Sequence, residues 1–192
     1  IDHGLQPVSA EWGRHCAHVC TALDVPLAVE RIRVDGIADE GLEAAARRAR
    51  YAALAAALAP GDILLTAHHC DDQAETVLLQ LLRGTGIAGL AAMPAQTDFG
   101  PGRIVRPLLG FSRTALQAYA REYRLAWIED PSNQELHLRR SFLRTEVLPR
   151  LARHWPAHAS LLARTAAHLE VLRTLGPLAV LHKVTGAAEL SF

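Results

Sequence analysis

Three cysteines in 192 residues, Cys16, Cys20 and Cys70, are too few and too irregularly spaced for a disulfide framework, and their odd number points to reduced thiols in a cytosolic protein. Long apolar runs are missing too. The longest, Tyr51 to Pro60, is half of the roughly 20 residues that a membrane-spanning helix needs, and Arg47, Arg48 and Arg50 stand just before it. No stretch reads as a secretory signal. No internal repeat appears, and the one biased tract, the Ala-rich run 44–59, is helical in pattern. Lysine is almost absent: 19 of the 20 basic side chains are arginine, the residue suited to planar, bidentate phosphate contacts. An initiator methionine is also lacking. The chain opens Ile1-Asp2-His3-Gly4, as at the tail of a strand, and is expected to be missing its natural start.

What is present suits a globular domain. Half the residues are apolar and 21% are charged, enough core-forming surface to argue against a disordered or collagen-like chain. Zero net charge conceals a sorting along the sequence. Residues 1–102 carry 7 basic and 13 acidic side chains, residues 103–153 carry 10 and 5, and residues 154–192 carry 3 and 2. The middle segment is either an Arg-lined surface for a polyanion or a plain solvated face.

The predicted elements alternate between strand and helix. Ser9 can cap a helix to about Ala22, and Pro26 to Val34 alternates apolar and charged residues as a strand does. A helix is expected from about Glu40 to Leu58, stopped by Pro60-Gly61. Asp62 to Ala67 reads as a strand buried on both faces. A helix over Asp72–Arg83 ends at Gly84, a weak strand covers Gly102–Arg106, and a short strand is expected near Ala126–Glu129. Further helices are expected at about Ser112–Arg124, Leu138–Arg153 and Ala157–Lys183. Such alternation implies a parallel sheet flanked by helices.

The densest chemistry is His68-His69-Cys70-Asp71-Asp72-Gln73-Ala74-Glu75-Thr76, where a strand opens into a helix, the position at which open α/β sheets bind ligands. A capping box from Asp72 to Glu75 explains two of these residues but leaves both histidines and Asp71 over. Two chemistries stay open on the residues alone. One is a metallohydrolase in which Asp2, His3, His68, His69 and Asp71 hold divalent metals that activate water. The other is a nucleotide-dependent ligase whose carboxylates help hold magnesium on phosphates and handle an amine nucleophile. Gly84-Thr85-Gly86-Ile87-Ala88-Gly89 matches G-x-G-x-x-G but follows a helix, so the dinucleotide-binding context fails and the glycines read as a helix end. Arg47, Arg50 and Tyr51 share a helix face at i, i+3 and i+4, either as a solvated face or within reach of an anionic ligand. Arg140 and Arg144, four apart on a helix that follows the turn Asp130-Pro131-Ser132-Asn133, offer two guanidiniums on one face.

Taken in order, these segments resemble the tRNA(Ile)-lysidine synthetases of the PP-loop (N-type ATP pyrophosphatase) superfamily. The resemblance runs from Asp2 to about Pro156. It rests on Asp2-His3-Gly4-Leu5, Glu43 with Arg47, Arg50 and Tyr51, the 67–76 stretch, Arg83-Gly84-Thr85-Gly86, Arg106-Pro107-Leu108-Leu109, Glu129-Asp130-Pro131-Ser132-Asn133, and Arg140 with Leu143 and Arg144. It implies an adenine nucleotide alpha hydrolase-like parallel-sheet domain over 1–153 that lacks its first β-α unit, then a helical linker over 154–192 toward a C-terminal module. The family reaction it implies uses ATP and Mg2+ to adenylate the wobble cytidine of a CAU-anticodon tRNA(Ile), after which free L-lysine displaces AMP to leave lysidine. Carried over by motif, Asp71, Asp72 and Glu75 are catalytic, with Asp71 also a candidate Mg2+ ligand. Asp2, His3, His68, His69, Arg47 and Arg50 bind the nucleotide, and Arg83, Arg106, Asp130, Asn133, Arg140 and Arg144 meet tRNA or lysine. Two departures stand out. The family's Ser-Gly-Gly-x-Asp-Ser phosphate loop is expected upstream of Ile1, so the fragment alone is expected to be inactive and poorly soluble, and Ser141 stands where the family has Asn. Three other readings remain: a thiolase-type PP-loop enzyme, disfavoured because Cys16 and Cys20 lie on one expected helix; the metal-dependent phosphohydrolase; and a non-catalytic RNA-binding remnant.

Overall fold

The structure, a computed structural model, describes residues 1–4, 9–130 and 138–188. The chain divides into two compact units, the first formed by residues 1–64 and 98–104 and the second by 65–97 and 105–192.

The first unit holds helices α1 (Ser9–Ala22), α2 (Ile37–Glu40) and α3 (Leu42–Ala56). α1 ends at Ala22, where its periodicity predicts, and Ser9, expected to be its cap, is its first described residue. The strand expected over Pro26–Val34 is reduced to one parallel bridge, in which Asp2 N–H donates to the Glu30 carbonyl (2.8 Å) and Ile32 N–H to the Asp2 carbonyl (2.9 Å). Its alternating apolar residues gain little from pairing, since Leu27 and Val29 stay exposed. α3 buries Ala45, and Tyr51 meets Phe99 edge-on at 5.6 Å. Past α3 the chain turns at Gly61, whose φ of 88° a side chain would resist.

β1 (Ile63–Leu65), β2 (Gln96–Phe99) and β3 (Gly102–Val105) form a sheet in the order β1-β3-β2. β2 and β3 make a hairpin that periodicity did not reveal on its first arm. β1 runs parallel to β3, with Arg103 N–H donating to the Asp62 carbonyl and Thr66 N–H to that of Val105. β1 was expected to be buried on both faces. It is instead the edge strand, with Ile63 and Leu65 half-exposed or more, because among the described residues only β3 lies beside it. Gly102 sits against β1 so closely that a Cβ there would collide with the Asp62 carbonyl oxygen. Gly102→Ala is therefore expected to destabilise the first unit by about 1–3 kcal/mol, read as a lower urea midpoint, whereas Gly110→Ala, with open space around it, leaves the midpoint in place.

The second unit is built on α4 (Cys70–Leu82), against which α9 (His158–Ala188) and α5 (Ile87–Leu90) pack. Ala74, Val77, Ala91, Met93, Leu143, Leu148 and Ala166 supply its apolar core. Buried Gln73 ties α4 to the following loop, donating to the Met93 carbonyl (2.8 Å) and accepting from Met93 N–H (3.1 Å). α6 (Arg113–Glu122) is capped by Ser112. The strand expected near Ala126–Glu129 is absent: the chain there is irregular and exposed, so its apolar residues have no sheet to join.

A single helix was expected over Leu138–Arg153. The helical path is instead α7 (Arg139–Phe142), a π-helical turn over Leu143–Val147, and α8 (Leu148–His154). Pro149 explains the change. It has no N–H for the carbonyl four residues back, and its ring crowds that carbonyl, so the preceding turn widens.

Candidate functional site

The predicted chemistry gathers at the start of α4. His69, not Asp72, is the N-cap: its Nδ1 accepts from Asp72 N–H (3.3 Å) while Asp72 Oδ2 accepts from His69 N–H (3.0 Å). The expected capping box is thus displaced by three residues, which frees Glu75 from any capping role. Because Nδ1 accepts a backbone proton, neutral His69 carries its own hydrogen on Nε2. His68 turns toward Thr66, with Nδ1 2.9 Å from the hydroxyl. Asp71 Oδ2 accepts from Arg113 N–H (2.7 Å), and Cys70 N–H donates to the Phe111 carbonyl (2.9 Å), so the front of α4 is strapped to the start of α6. Burial, with Asp71 beside it, pushes the Cys70 thiol up, away from nucleophilic use.

One turn further along, Glu75 is 1% exposed and held in a fork: Arg144 Nε donates to Oε1 (2.7 Å) and Nη2 to Oε2 (3.0 Å). The same Nη2 reaches Asp72 Oδ1 at 3.4 Å. Arg140 donates from Nη2 to the Thr76 hydroxyl (2.9 Å), which in turn donates to the Asp72 carbonyl (2.8 Å). Arg140 Nε stands 3.5 Å from Glu75 Oε2, an ion pair without hydrogen-bond alignment. Burial works against the charge on Arg144, but the bonds and charge of Glu75, with Asp72 and Asp71 behind, outweigh it and raise the guanidinium pKa further. Three carboxylates and two guanidiniums therefore share one site, with Asp72 and Arg140 partly open to solvent. Thr76 and the Arg113 N–H are members that residue type alone did not single out.

Other predicted residues make none of the contacts just described. Arg83 ends α4, about 18 Å along the axis from Asp71. Arg106 is buried and donates to the Pro94 carbonyl (2.7 Å), a bond that pins the loop before β2. Asp130 is the last described residue before 131–137, and Asn133 lies outside the described residues. Asp2, His3, Arg47 and Arg50 belong to the first unit. There Gly4 N–H holds the Asp2 carboxyl below its usual range, and Arg47 and Arg50 flank the Tyr51 ring at 4.5 and 5.7 Å, as their shared face predicts. His3 Nε2 is buried without a hydrogen-bond partner among the described residues.

Burial, and then the charge of Arg50, lower the His3 pKa below 6.5. A histidine depressed in the folded state contributes stability that is present above about pH 6.5 and is lost as pH falls through its folded value. Amide protection in 1–64, with the pH dependence of the intrinsic exchange rate divided out, is therefore expected to fall between pH 7 and 5, and His3→Gln to flatten that dependence.

Among the described residues, no three His, Cys, Asp or Glu side chains gather as a bound metal ion would need. No described helix is long and apolar enough to cross a membrane. Residues 1–151 match the model of the PP-loop domain. This chain belongs to the PP-loop domain family. Relatives of this PP-loop domain include the tRNA(Ile)-lysidine synthases of Pseudomonas aeruginosa and Methylococcus capsulatus, each 54% identical over 88% of the chain, and that of Coxiella burnetii, 47% identical over 88%. The chain spans 37–38% of the length of these relatives. Among solved structures, the U34-tRNA thiolase NcsA from Methanococcus maripaludis, with its [4Fe-4S] cluster, is similar over 85% of this chain and 58% of its own, with a TM-score of 0.64 and 14% identity. That likeness is one of fold.

Proposed function

We propose that this PP-loop domain is the catalytic core of a tRNA(Ile)-lysidine synthase, which uses ATP to adenylate the wobble cytidine of tRNA(Ile) with a CAU anticodon and then joins free L-lysine to it. The observation that carries this reading is the 47–54% identity to proteins of that name over 88% of the chain. The site chemistry agrees with it. The lysine ε-amine has a pKa near 10.4, so presenting it neutral at pH 7 costs about 4–5 kcal/mol unless a base takes the proton in place. Asp72, partly exposed beside Arg144, is the carboxylate that meets the ammonium and accepts its proton. Glu75, with both oxygens held by Arg144, bears on the reaction through that guanidinium.

Arg140 and Arg144 would stabilise negative charge that develops on the reacting phosphate. Asp2, His3, Arg47, Arg50, His68 and His69 are assigned to the nucleotide, and Arg83, Arg106, Asp130 and Asn133 to tRNA or lysine. Asp71 would hold Mg2+: one carboxylate oxygen is committed to Arg113 N–H, and a single carboxylate suits an ion otherwise bound by water and phosphates. When bound, Mg2+ supplies charge neutralisation on the phosphates. Residues 1–153 are assigned to catalysis and 154–192 to a helical connection, in the cytoplasm.

The test is ATP-dependent incorporation of labelled lysine into CAU-anticodon tRNA(Ile) by a protein that carries residues 1–192. Incorporation with stoichiometric pyrophosphate release supports the reading. A folded, ATP-binding protein that incorporates no lysine overturns it in favour of another PP-loop reaction.

A further inference from the structure

The helical path that delivers Arg140 and Arg144 to the site continues past it into a basic, aromatic surface with no part in the chemistry above. From Arg139 to Trp155 it carries five arginines against one acidic residue, Glu146; Arg140 and Arg144 face Glu75 and Asp72, so Arg139, Arg150 and Arg153 are the ones that belong to this surface. Beside its last turn lies an apolar pocket of about 320 Å³, lined by Phe142, Glu146, Val147, Arg150, Leu151, His154 and Trp155. Phe142 and Trp155 remain 47% and 58% exposed at its edges. Trp155 is set between α8 and α9 by its own backbone: its N–H donates to the Leu151 carbonyl (2.8 Å), and its carbonyl accepts from His158 N–H (2.9 Å). The indole is flanked by the His154 ring at 5.9 Å. Glu146, the one carboxylate in the lining, is taken by Arg150 (3.1 Å).

An exposed indole on a hydrogen-bonded helix junction, over an apolar floor and beside a helix rich in arginine, matches how unpaired bases are held: the ring stacks and the arginines follow the phosphates. We propose that the Trp155 pocket takes an unpaired nucleobase of the RNA whose reacting nucleotide lies at Arg140 and Arg144. This inference rests on the tRNA-modifying reading and adds a second point of attachment to it. Ten residues of helix separate Arg144 from His154, about 15 Å, so the held base is a neighbour of the reacting one in the same loop.

The test is fluorescence anisotropy of a protein that carries residues 1–192 with a labelled CAU anticodon stem-loop RNA, and with versions in which single loop bases are replaced by abasic sites. Trp155→Ala is expected to weaken binding about tenfold or more, Trp155→Phe to restore most of it, and Trp155→Leu, which keeps apolar bulk without a ring, to fail to restore it. One abasic position should weaken the wild type to the level of Trp155→Ala and leave that variant unaffected. Arg153→Ala should weaken every RNA alike and reduce the slope of log affinity on log salt by about one. Equal affinity of Trp155→Ala and wild type, or a Trp155→Ala deficit that every abasic RNA retains, overturns the pocket assignment alone. A wild-type chain that binds none of these RNAs overturns both the assignment and the tRNA reading. Concentration-dependent dimerisation abolished by Trp155→Ala, with RNA affinity unchanged, assigns the pocket to a protein contact and overturns the proposal.

Discussion

Replacing Arg144 by leucine is expected to lower the unfolding free energy of the second unit by about 3–5 kcal/mol, although Arg144 is itself a quarter exposed. The cost arises at its partner. Glu75 is 1% exposed and both its oxygens are satisfied by Arg144; the other nearby cation, Arg140, points its Nε at Oε2 from 3.5 Å without forming a hydrogen bond. With Arg144 gone, a carboxylate is left charged in an apolar interior or must take up a proton. Replacing Glu75 and Arg144 together by leucine removes the stranded charge along with its partner, so the double variant is expected to recover more than half of the loss. Urea unfolding of the four members of this cycle measures it. Strict additivity of the two single losses would show that the fork is not the interaction that binds α4 to the π-helical turn.

The largest functional effect is expected at Asp72. Asp72→Asn keeps an oxygen for the His69 N–H and nearly the same volume, so the front of α4 should hold its shape, while the negative charge and the ability to accept a proton are lost. In a protein that carries residues 1–192, lysine transfer to adenylated tRNA is expected to slow by about 10²–10⁴-fold, the range general-base catalysis supplies. Pyrophosphate release should stay within a few-fold of wild type, because the nucleotide step does not require that proton acceptor. Single-turnover measurement of the two half-reactions separates the outcomes. An equal fall in both would move Asp72 from the amine to the nucleotide.

The sequence carried the site's membership better than its wiring. Asp71, Asp72, Glu75, Arg140 and Arg144 stand out by residue type and spacing, and the structure brings them together. Which groups pair was not legible, because the Glu75–Arg144 contact joins residues 69 apart, and helical periodicity speaks only of neighbours within a turn or two. The displaced cap has a local cause. Asp and Ser lead the N-cap preference, so Asp72 attracted the assignment, yet an imidazole nitrogen can accept the same backbone proton and the tertiary context chose His69. The strands at Pro26–Val34 and Ala126–Glu129 failed for another reason. Alternation marks which residues suit a pleated sheet but not whether a neighbouring strand is there to receive them. One miss was readable: Pro149, inside the helix expected over Leu138–Arg153, is the ordinary mark of a disturbed turn.

That turn sets a phase condition on the whole helical path. A π-helical turn holds one residue more than the α-helix it interrupts, and each residue of an α-helix advances the side-chain direction by about 100°. Were Leu143–Val147 to wind as regular α-helix with no residue removed, the extra residue would swing everything beyond it by about that angle relative to α4. Leu148 would leave the core, and Trp155 would face another side of the molecule. Length here is therefore as constrained as residue identity: the wide turn absorbs one extra residue, whereas a residue added or removed in α8, which is regular helix, would turn Trp155 away while leaving every side chain that touches Glu75 unchanged.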